Sequence, residues 1–228
     1  MRKIVTIILG SLPLFAGFFP ATVHTTVKSV SGEEIRLSRP FPVQGMSGVV
    51  IHKFDKNLAA VTGYIEQTSS KGDAKLITKE IVRHEELPSI KTEVAKGDKV
   101  IGGYLYDNIL LLAPDADTYT AITKRSTDKR WIHPDLFAVF LSEIGETYPT
   151  KENLAAFAKQ YQIGLIYIIK RKNAVLFDPI SGKVVASRTM SHTPKKTKSP
   201  FFMRFEEIKG GWFSDDAPGD YYTIMEQF

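Results

Sequence analysis

The hydrophobic pattern of the chain changes at Pro114, and this change restricts the folds that the sequence can adopt. Before Pro114, short β-branched runs alternate with turn residues, a pattern typical of antiparallel sheets. After Pro114, apolar residues recur at the spacing of a helix face, and three short strand-like runs follow. The sequence therefore predicts an α+β fold. We expect a β-rich part at residues 22–114 and an α+β part at 115–228, packed either as one unit or as two domains.

Five strands are predicted in the first part. They are separated by short turns such as Asp55-Lys56-Asn57, whereas residues 22–45 are polar and predict extended chain around Arg39-Pro40-Phe41-Pro42. Strands at this spacing predict a small twisted sheet or a partly closed barrel, because a short open sheet leaves its edges unprotected. The predicted strands are 49–54, 58–65, 75–83, 99–105 and 109–113.

The second part is predicted to combine helices with a meander of strands. Asp115 and Thr150 can cap helices, and Pro134 suits a first helical position after His133. One apolar stripe marks the helix that follows Pro134. Three strands at 165–169, 174–177 and 184–187 complete a two-helix plus β-meander layer. A basic loop at 188–200, strand character at 201–213 and a short helix at 221–228 follow.

The chain begins with Met1-Arg2-Lys3, and no charged residue occurs at 4–23. A basic start before an apolar run predicts a signal peptide, here residues 1–21. Cleavage could follow Ala16 or Ala21, although neither has a small residue at the −3 position. The alternatives are an uncleaved anchor, since about 20 apolar residues can span a bilayer, and a buried core strand. We expect an exported protein of the periplasm, the cell surface or the outer membrane, with membrane contact only through this segment if it stays uncleaved.

Composition excludes several kinds of chemistry. The chain has no cysteine, so disulfides, thiol catalysis and cysteine metal sites are excluded. Its net charge of +5 is a mild excess, and we expect no nucleic-acid binding. Basic residues cluster at 124–125, 129–130, 170–172 and 195–198, either as solvated turns or as a surface for an acidic partner, a glycan or an anionic lipid.

No catalytic or metal-binding motif is present. The five histidines show no His-Glu-x-x-His spacing, and neither a nucleophile elbow nor a phosphate-binding glycine loop occurs. We therefore predict no catalytic residue, no metal site and no cofactor.

Three segments carry a resemblance to a known family. They are Gly45-Met46-Ser47-Gly48-Val49-Val50-Ile51-His52, the run Gly97-Asp98-Lys99-Val100-Ile101-Gly102-Gly103-Tyr104-Leu105-Tyr106, and Arg130-Trp131-Ile132-His133-Pro134-Asp135-Leu136-Phe137-Ala138. Over roughly residues 25–220, the chain resembles the amino-terminal domain family of plasminogen-binding protein A, which is exported to the bacterial surface.

The resemblance implies an envelope protein that captures host plasminogen. Longer members of the family are associated with lysine-dependent capture through a carboxy-terminal lysine. This chain ends Glu226-Gln227-Phe228, so that feature is absent here. The internal substitute that we expect is the group Lys195, Lys196 and Lys198 on the predicted loop.

Three functional hypotheses follow from the sequence. The first is a non-enzymatic exported protein that binds plasminogen. The second is an envelope scaffold or assembly factor that binds a bacterial protein partner through the β-rich part. The third is a hydrolase of cell-wall or glycan material, which would need a cleft with converging carboxylates or histidines.

Overall fold

The computed structural model describes residues 17–77, 92–208 and 219–228, which form two β-sheets with four short helices. The α+β fold class is confirmed. The strands are β1 (Val23–Ser31), β2 (Glu34–Leu37), β3 (Ser47–Asp55), β4 (Leu58–Gln67), β5 (Asp73–Ile77), β6 (Lys99–Gly102), β7 (Asn108–Leu112), β8 (Arg130–Ile132), β9 (Leu165–Ile169), β10 (Asn173–Asp178) and β11 (Lys183–Thr189). The helices are α1 (Ala116–Arg125), α2 (Pro134–Glu143), α3 (Lys151–Tyr161) and α4 (Tyr221–Met225).

The first sheet is a closed barrel in the order β1-β2-β5-β4-β3-β6, with every pair antiparallel. Val50 of β3 lies opposite Val100 of β6, and both side chains are fully buried. Closure pairs every strand on both sides, so the barrel has no free edge. Of the two predicted forms, a small twisted sheet or a partly closed barrel, the structure has the barrel, and it is fully closed.

The strands β1 and β2 were not predicted, because the sequence at 22–45 is mostly polar and lacks the apolar pattern of a buried strand. Only Val27 of β1 is buried, whereas Ile35 and Leu37 are the two buried residues of β2. A barrel strand needs apolar residues on its inner face alone, so a mostly exposed strand resembles a loop in sequence. The strand predicted at 75–83 corresponds to β5, which is described as far as Ile77; residues 78–91 lie outside the described part of the chain.

Two glycines in the segments that carry the family resemblance make room for one aromatic ring. Gly48 of β3 lies opposite Gly102 of β6. A Cβ atom at Gly102 would come within 2.5 Å of the Phe41 ring, and one at Gly48 within 2.9 Å. The Phe41 ring can therefore approach β3 and β6 this closely only because both strands lack a side chain there.

The second sheet has five strands in the order β11-β10-β9-β7-β8. The predicted meander is confirmed as the antiparallel strands β9, β10 and β11. The predicted strand at 109–113, however, is not part of the barrel sheet: it is β7, which pairs in parallel with β8 and β9. Every residue from Ile109 to Leu112 is fully buried, and a continuous apolar run of this kind belongs in the centre of a mixed sheet. The division into domains at 114 stays a prediction, and one cluster of buried apolar residues extends through both sheets.

The helix signals in the sequence correspond to real caps. The carboxylate of Asp115 accepts from the Thr118 N–H at 2.7 Å, and Thr150 forms a capping box with Asn153. His133 caps α2 by accepting from the Asp135 N–H at 3.1 Å. Among the described residues, no helix is both long and apolar enough to cross a membrane.

The strand character predicted at 201–213 is wrong for residues 201–208, which form no strand; residues 209–218 lie outside the described part. Phe201 and Met203 are buried here as single anchors of an irregular segment. The Phe202 N–H donates to the Ala113 carbonyl at 2.8 Å, which is a single bond and not a ladder. The apolar residues of this segment therefore indicated the burial of single side chains and not strand pairing.

A buried carboxylate joins the barrel to the second sheet. Asp178, at the end of β10, is fully buried and accepts from the Ser47 N–H at 2.9 Å and from the Tyr106 hydroxyl at 2.6 Å. Its other oxygen accepts from the backbone N–H groups of Ile180 and Ser181. Burial raises the pKa of Asp178, and the hydrogen bonds from Tyr106 and Ser47 oppose that rise.

Candidate binding site

The basic loop that carries the predicted lysines lies against the second sheet and α4. The Met190 N–H donates to the Lys172 carbonyl at 3.0 Å, and the Thr193 hydroxyl donates to the Arg171 carbonyl at the same distance. The Tyr222 hydroxyl of α4 donates to the Pro194 carbonyl at 2.8 Å. These bonds fix the position of the backbone immediately before Lys195.

The three predicted lysines do not share one role. The Lys198 ammonium donates to the carbonyls of Met203, at 2.8 Å, and of Phe205. The Lys198 backbone N–H donates to the Pro114 carbonyl at 2.7 Å. Lys198 therefore holds the loop in place, because its ammonium group donates hydrogen bonds to two backbone carbonyls of the same chain. Lys195 and Lys196 are exposed and form no ion pair with any residue that the structure describes.

A second basic run, at 170–172, lies beside this loop. The Lys170 ammonium donates to the Phe228 carbonyl at 2.7 Å and lies 3.5 Å from the Glu226 carboxylate. The Arg171 guanidinium lies 4.9 Å from the Tyr222 ring centroid and 3.7 Å from the Asp220 carboxylate. Lys172 is exposed, and no ion pair links it to another described residue.

We call the exposed group Lys172, Lys195 and Lys196 the lysine surface. The hydrogen bonds of Met190 and Thr193 bring the two runs together across the turn between β9 and β10. These three ammonium groups have no ion pair within the described residues, so their positive charge is available to acidic groups. Both basic runs are visible in the sequence, but the bonds that join the loop before Lys195 to Arg171 and Lys172 depend on the tertiary fold.

A groove of about 880 Å³ lies on the outside of the barrel, across β1, β6 and β3. Three lysines and one carboxylate, Asp55, face it, and its apolar lining includes Leu58, of which 55% is exposed. The lining of the groove therefore combines positive and apolar side chains, which suits a segment of a protein partner that carries both acidic and apolar residues. We call it the barrel groove; its other charged and apolar lining residues include Lys53, Lys56, Lys99, Ile51 and Ile101.

A second groove, of about 630 Å³, contains the carboxylates of Glu33, Glu34 and Asp73. Glu33 lies 3.7 Å from the Lys75 ammonium, and Asp73 forms an ion pair with Arg36. Hydrogen bonds from Ser69 and Arg36 lower the pKa of Asp73, whereas the general acid of a glycosidase needs a raised pKa. The observed pairing therefore favours a structural role for Asp73.

Two histidine–aspartate pairs occur among the described residues, in separate parts of the fold. The His52 ring lies 2.8 Å from the Asp98 carboxylate, and Asp98 also accepts from the Ala95 N–H. His133 lies 3.3 Å from Asp135, whose carboxylate accepts from the backbone and guanidinium of Arg204. Within the described ranges, no serine or threonine hydroxyl is hydrogen-bonded to either ring, and no group of side chains could hold a metal ion.

The environment of the second pair explains its charge state. Burial lowers the pKa of His133 more than the nearby Asp135 raises it. Burial raises the pKa of Asp135, but the hydrogen bonds from Arg204 outweigh this, and the pKa is lowered. A neutral imidazole and an ionised carboxylate at the start of α2 match their hydrogen bonds as a helix cap.

The fold and its surfaces define the class of the protein: a barrel joined to a mixed sheet, which presents a lysine surface and a basic groove. The family model described as "Plasminogen-binding protein pgbA N-terminal" matches residues 22–227, so the chain belongs to this family. The family resemblance inferred from the three segments is thereby confirmed.

Two curated relatives match the chain. They are the plasminogen-binding proteins PgbA of Helicobacter pylori strains J99 and 26695, each 29% identical over 158 residues, which cover 67% of this chain. These residues are 34% of each relative, so the match spans about a third of the relatives' length. No solved structure gives a significant match.

Proposed function

We propose that this protein is an exported cell-envelope protein that binds host plasminogen without catalysing a reaction. The observation that carries the proposal is the family membership over residues 22–227, together with the match to two plasminogen-binding proteins. The basic start and the apolar run at 4–23 support export.

The lysine surface supports the binding part of the proposal. A site that recognises lysine needs an ammonium group that is accessible and is not neutralised by its own chain. Lys195 and Lys196 meet this requirement, since both are exposed and neither is ion-paired within the described ranges. Lys198 contributes indirectly, because its bonds to Met203 and Phe205 fix the loop.

Binding to immobilised plasminogen tests this proposal. We expect the exported protein to bind, and a soluble lysine analogue to displace it. The K195A/K196A variant should bind at least tenfold more weakly, about 1.4 kcal/mol, because two charge contacts are lost.

The matched control is K28A/K96A, which removes two exposed lysines at one end of the barrel. This control should bind like the wild type. Equal binding by all three proteins would show that the lysine surface is not the site, and no binding by the wild type would refute the plasminogen proposal itself.

A second candidate function is an envelope scaffold or assembly factor that binds a bacterial protein. The barrel groove favours it, because three lysines, Lys53, Lys56 and Lys99, and one carboxylate line it together with apolar side chains. A pull-down from envelope extract tests this candidate, with K53E/K99E as the variant and K28E/K96E as the matched control. Loss of a partner with the first variant alone would support the groove; the same partners with all three proteins would refute it.

A further inference from the structure

The described chain begins with an aromatic pair that packs on the second sheet. The Phe18 ring centroid lies 5.2 Å from that of Tyr167, and the Phe19 centroid lies 6.4 Å from that of Trp131. Strand register places Trp131, Tyr167 and Arg188 on one face of the sheet, because alternate residues of paired strands point the same way. Only 1% of Tyr167 is exposed, and both phenylalanines are half-buried.

Cations complete this contact. The Arg188 guanidinium lies 4.5 Å from the Phe18 centroid, and its nitrogen also donates to the Tyr167 hydroxyl. The Lys129 ammonium lies 5.6 Å from the Phe19 centroid and 2.6 Å from the Asp107 carboxylate. Cations over aromatic faces add to the attraction that apolar burial supplies. Residues 18 and 19 therefore belong to the folded body.

This packing distinguishes between cleavage after Ala16, cleavage after Ala21 and an uncleaved anchor, which the sequence leaves open for the amino-terminal segment. Cleavage after Ala21 would remove both phenylalanines and expose the Tyr167 and Trp131 rings. An uncleaved anchor would have only the thirteen uncharged residues 4–16 left to cross the membrane. As a helix they would span about 20 Å, which is less than the roughly 30 Å of a hydrocarbon core.

We infer that the signal peptide is cleaved between Ala16 and Gly17, and that Phe18 and Phe19 form part of the mature fold. In this step water adds across the Ala16–Gly17 peptide bond, which leaves a carboxylate on Ala16 and an ammonium group on Gly17. The catalyst is a signal peptidase of the exporting cell, which requires a small residue at the −1 position. The inference rests on the proposed export but not on plasminogen binding.

Intact-mass measurement and amino-terminal sequencing of the exported protein test the site. We expect a mature chain that starts at Gly17. Ala16→Phe should accumulate as the precursor, whereas the matched control Ala21→Phe should be processed like the wild type, since Ala21 is exposed. A start at Thr22, or a block by Ala21→Phe alone, would overturn the inference. So would an exported chain that keeps Met1. A cytosolic chain that keeps Met1 would instead refute export itself.

A second measurement separates the packing from the processing. Two purified chains, Gly17–Phe228 and Thr22–Phe228, differ only by Gly17-Phe18-Phe19-Pro20-Ala21. The shorter chain should melt about 3–6 °C lower because two aromatic rings lose their burial. Its Trp131 fluorescence should also shift to longer wavelength as the ring meets water. Equal melting temperatures and spectra would show that the pair does not belong to the fold.

Discussion

The hydroxyl of Tyr106 offers a quantitative test of how the barrel is held to the second sheet. In Tyr106→Phe, the carboxylate of Asp178 loses a donor at 2.6 Å while the ring keeps its packing. Only 3% of Tyr106 is exposed and Asp178 is fully buried, so water cannot replace the lost bond easily. Burial also raises the pKa of Tyr106, which keeps its hydroxyl protonated as a donor.

The expected cost follows from these contacts. A hydrogen bond to a charged group contributes about 1.5–3 kcal/mol to the free energy of unfolding. For a chain of this size, that loss lowers the melting temperature by about 3–12 °C. Urea denaturation and thermal melting measure both quantities. Tyr104→Phe is the control, since 52% of Tyr104 is exposed, and it should change stability by less than about 0.5 kcal/mol. A Tyr106→Phe change as small as that of the control would refute the role assigned to this bond.

Two further predictions concern the same junction and the barrel wall. Because burial raises the pKa of Asp178, its contribution to stability is complete below the ordinary aspartate pKa of about 3.9 and is lost as pH rises through the raised value. Urea midpoints taken across pH should show this fall in the wild type but not in Asp178→Asn, and identical pH profiles would contradict it. Gly102→Ala would place a methyl group against the Phe41 ring and should cost about 1–3 kcal/mol of unfolding free energy. An unchanged urea midpoint would show that the Phe41 ring can move aside. Gly97→Ala is not a suitable control, because the φ of 96° at Gly97 would strain any side chain placed there.

The sequence was most informative where local chemistry decides the structure. Asp115 and Thr150 cap helices and Pro134 begins α2, as their positions predicted, because these signals act on backbone groups within three positions of them. The meander at 165–187 was equally readable, since short turns join antiparallel neighbours. By contrast, β1 and the position of β7 could not be predicted. β1 buries few residues, and β7 acquires its neighbours β8 and β9 only through long connections.

The lysine surface also combines features that the sequence predicts with features that depend on the tertiary fold. Composition and spacing indicated two basic runs, and the chain order indicated that one of them lies on a loop. Nothing local distinguishes Lys198 from Lys195, because the carbonyls that bind Lys198 belong to a segment folded back by buried Phe201 and Met203. Which lysines are accessible is therefore a property of the fold.

By itself, the sequence determined the α+β class, the residues at which the four helices begin, the absence of thiol chemistry and the family. The helix predicted at 221–228 ends at Met225. The features that the sequence determined depend on residue types and on spacings of a few positions, which every chain carries before it folds. The tertiary structure alone decided the closure of the barrel, the sheet to which β7 belongs, the burial of Asp178 and the packing of Phe18 and Phe19. Each of these is a contact between residues far apart in the chain, and its free energy depends on burial that exists only after the core has formed.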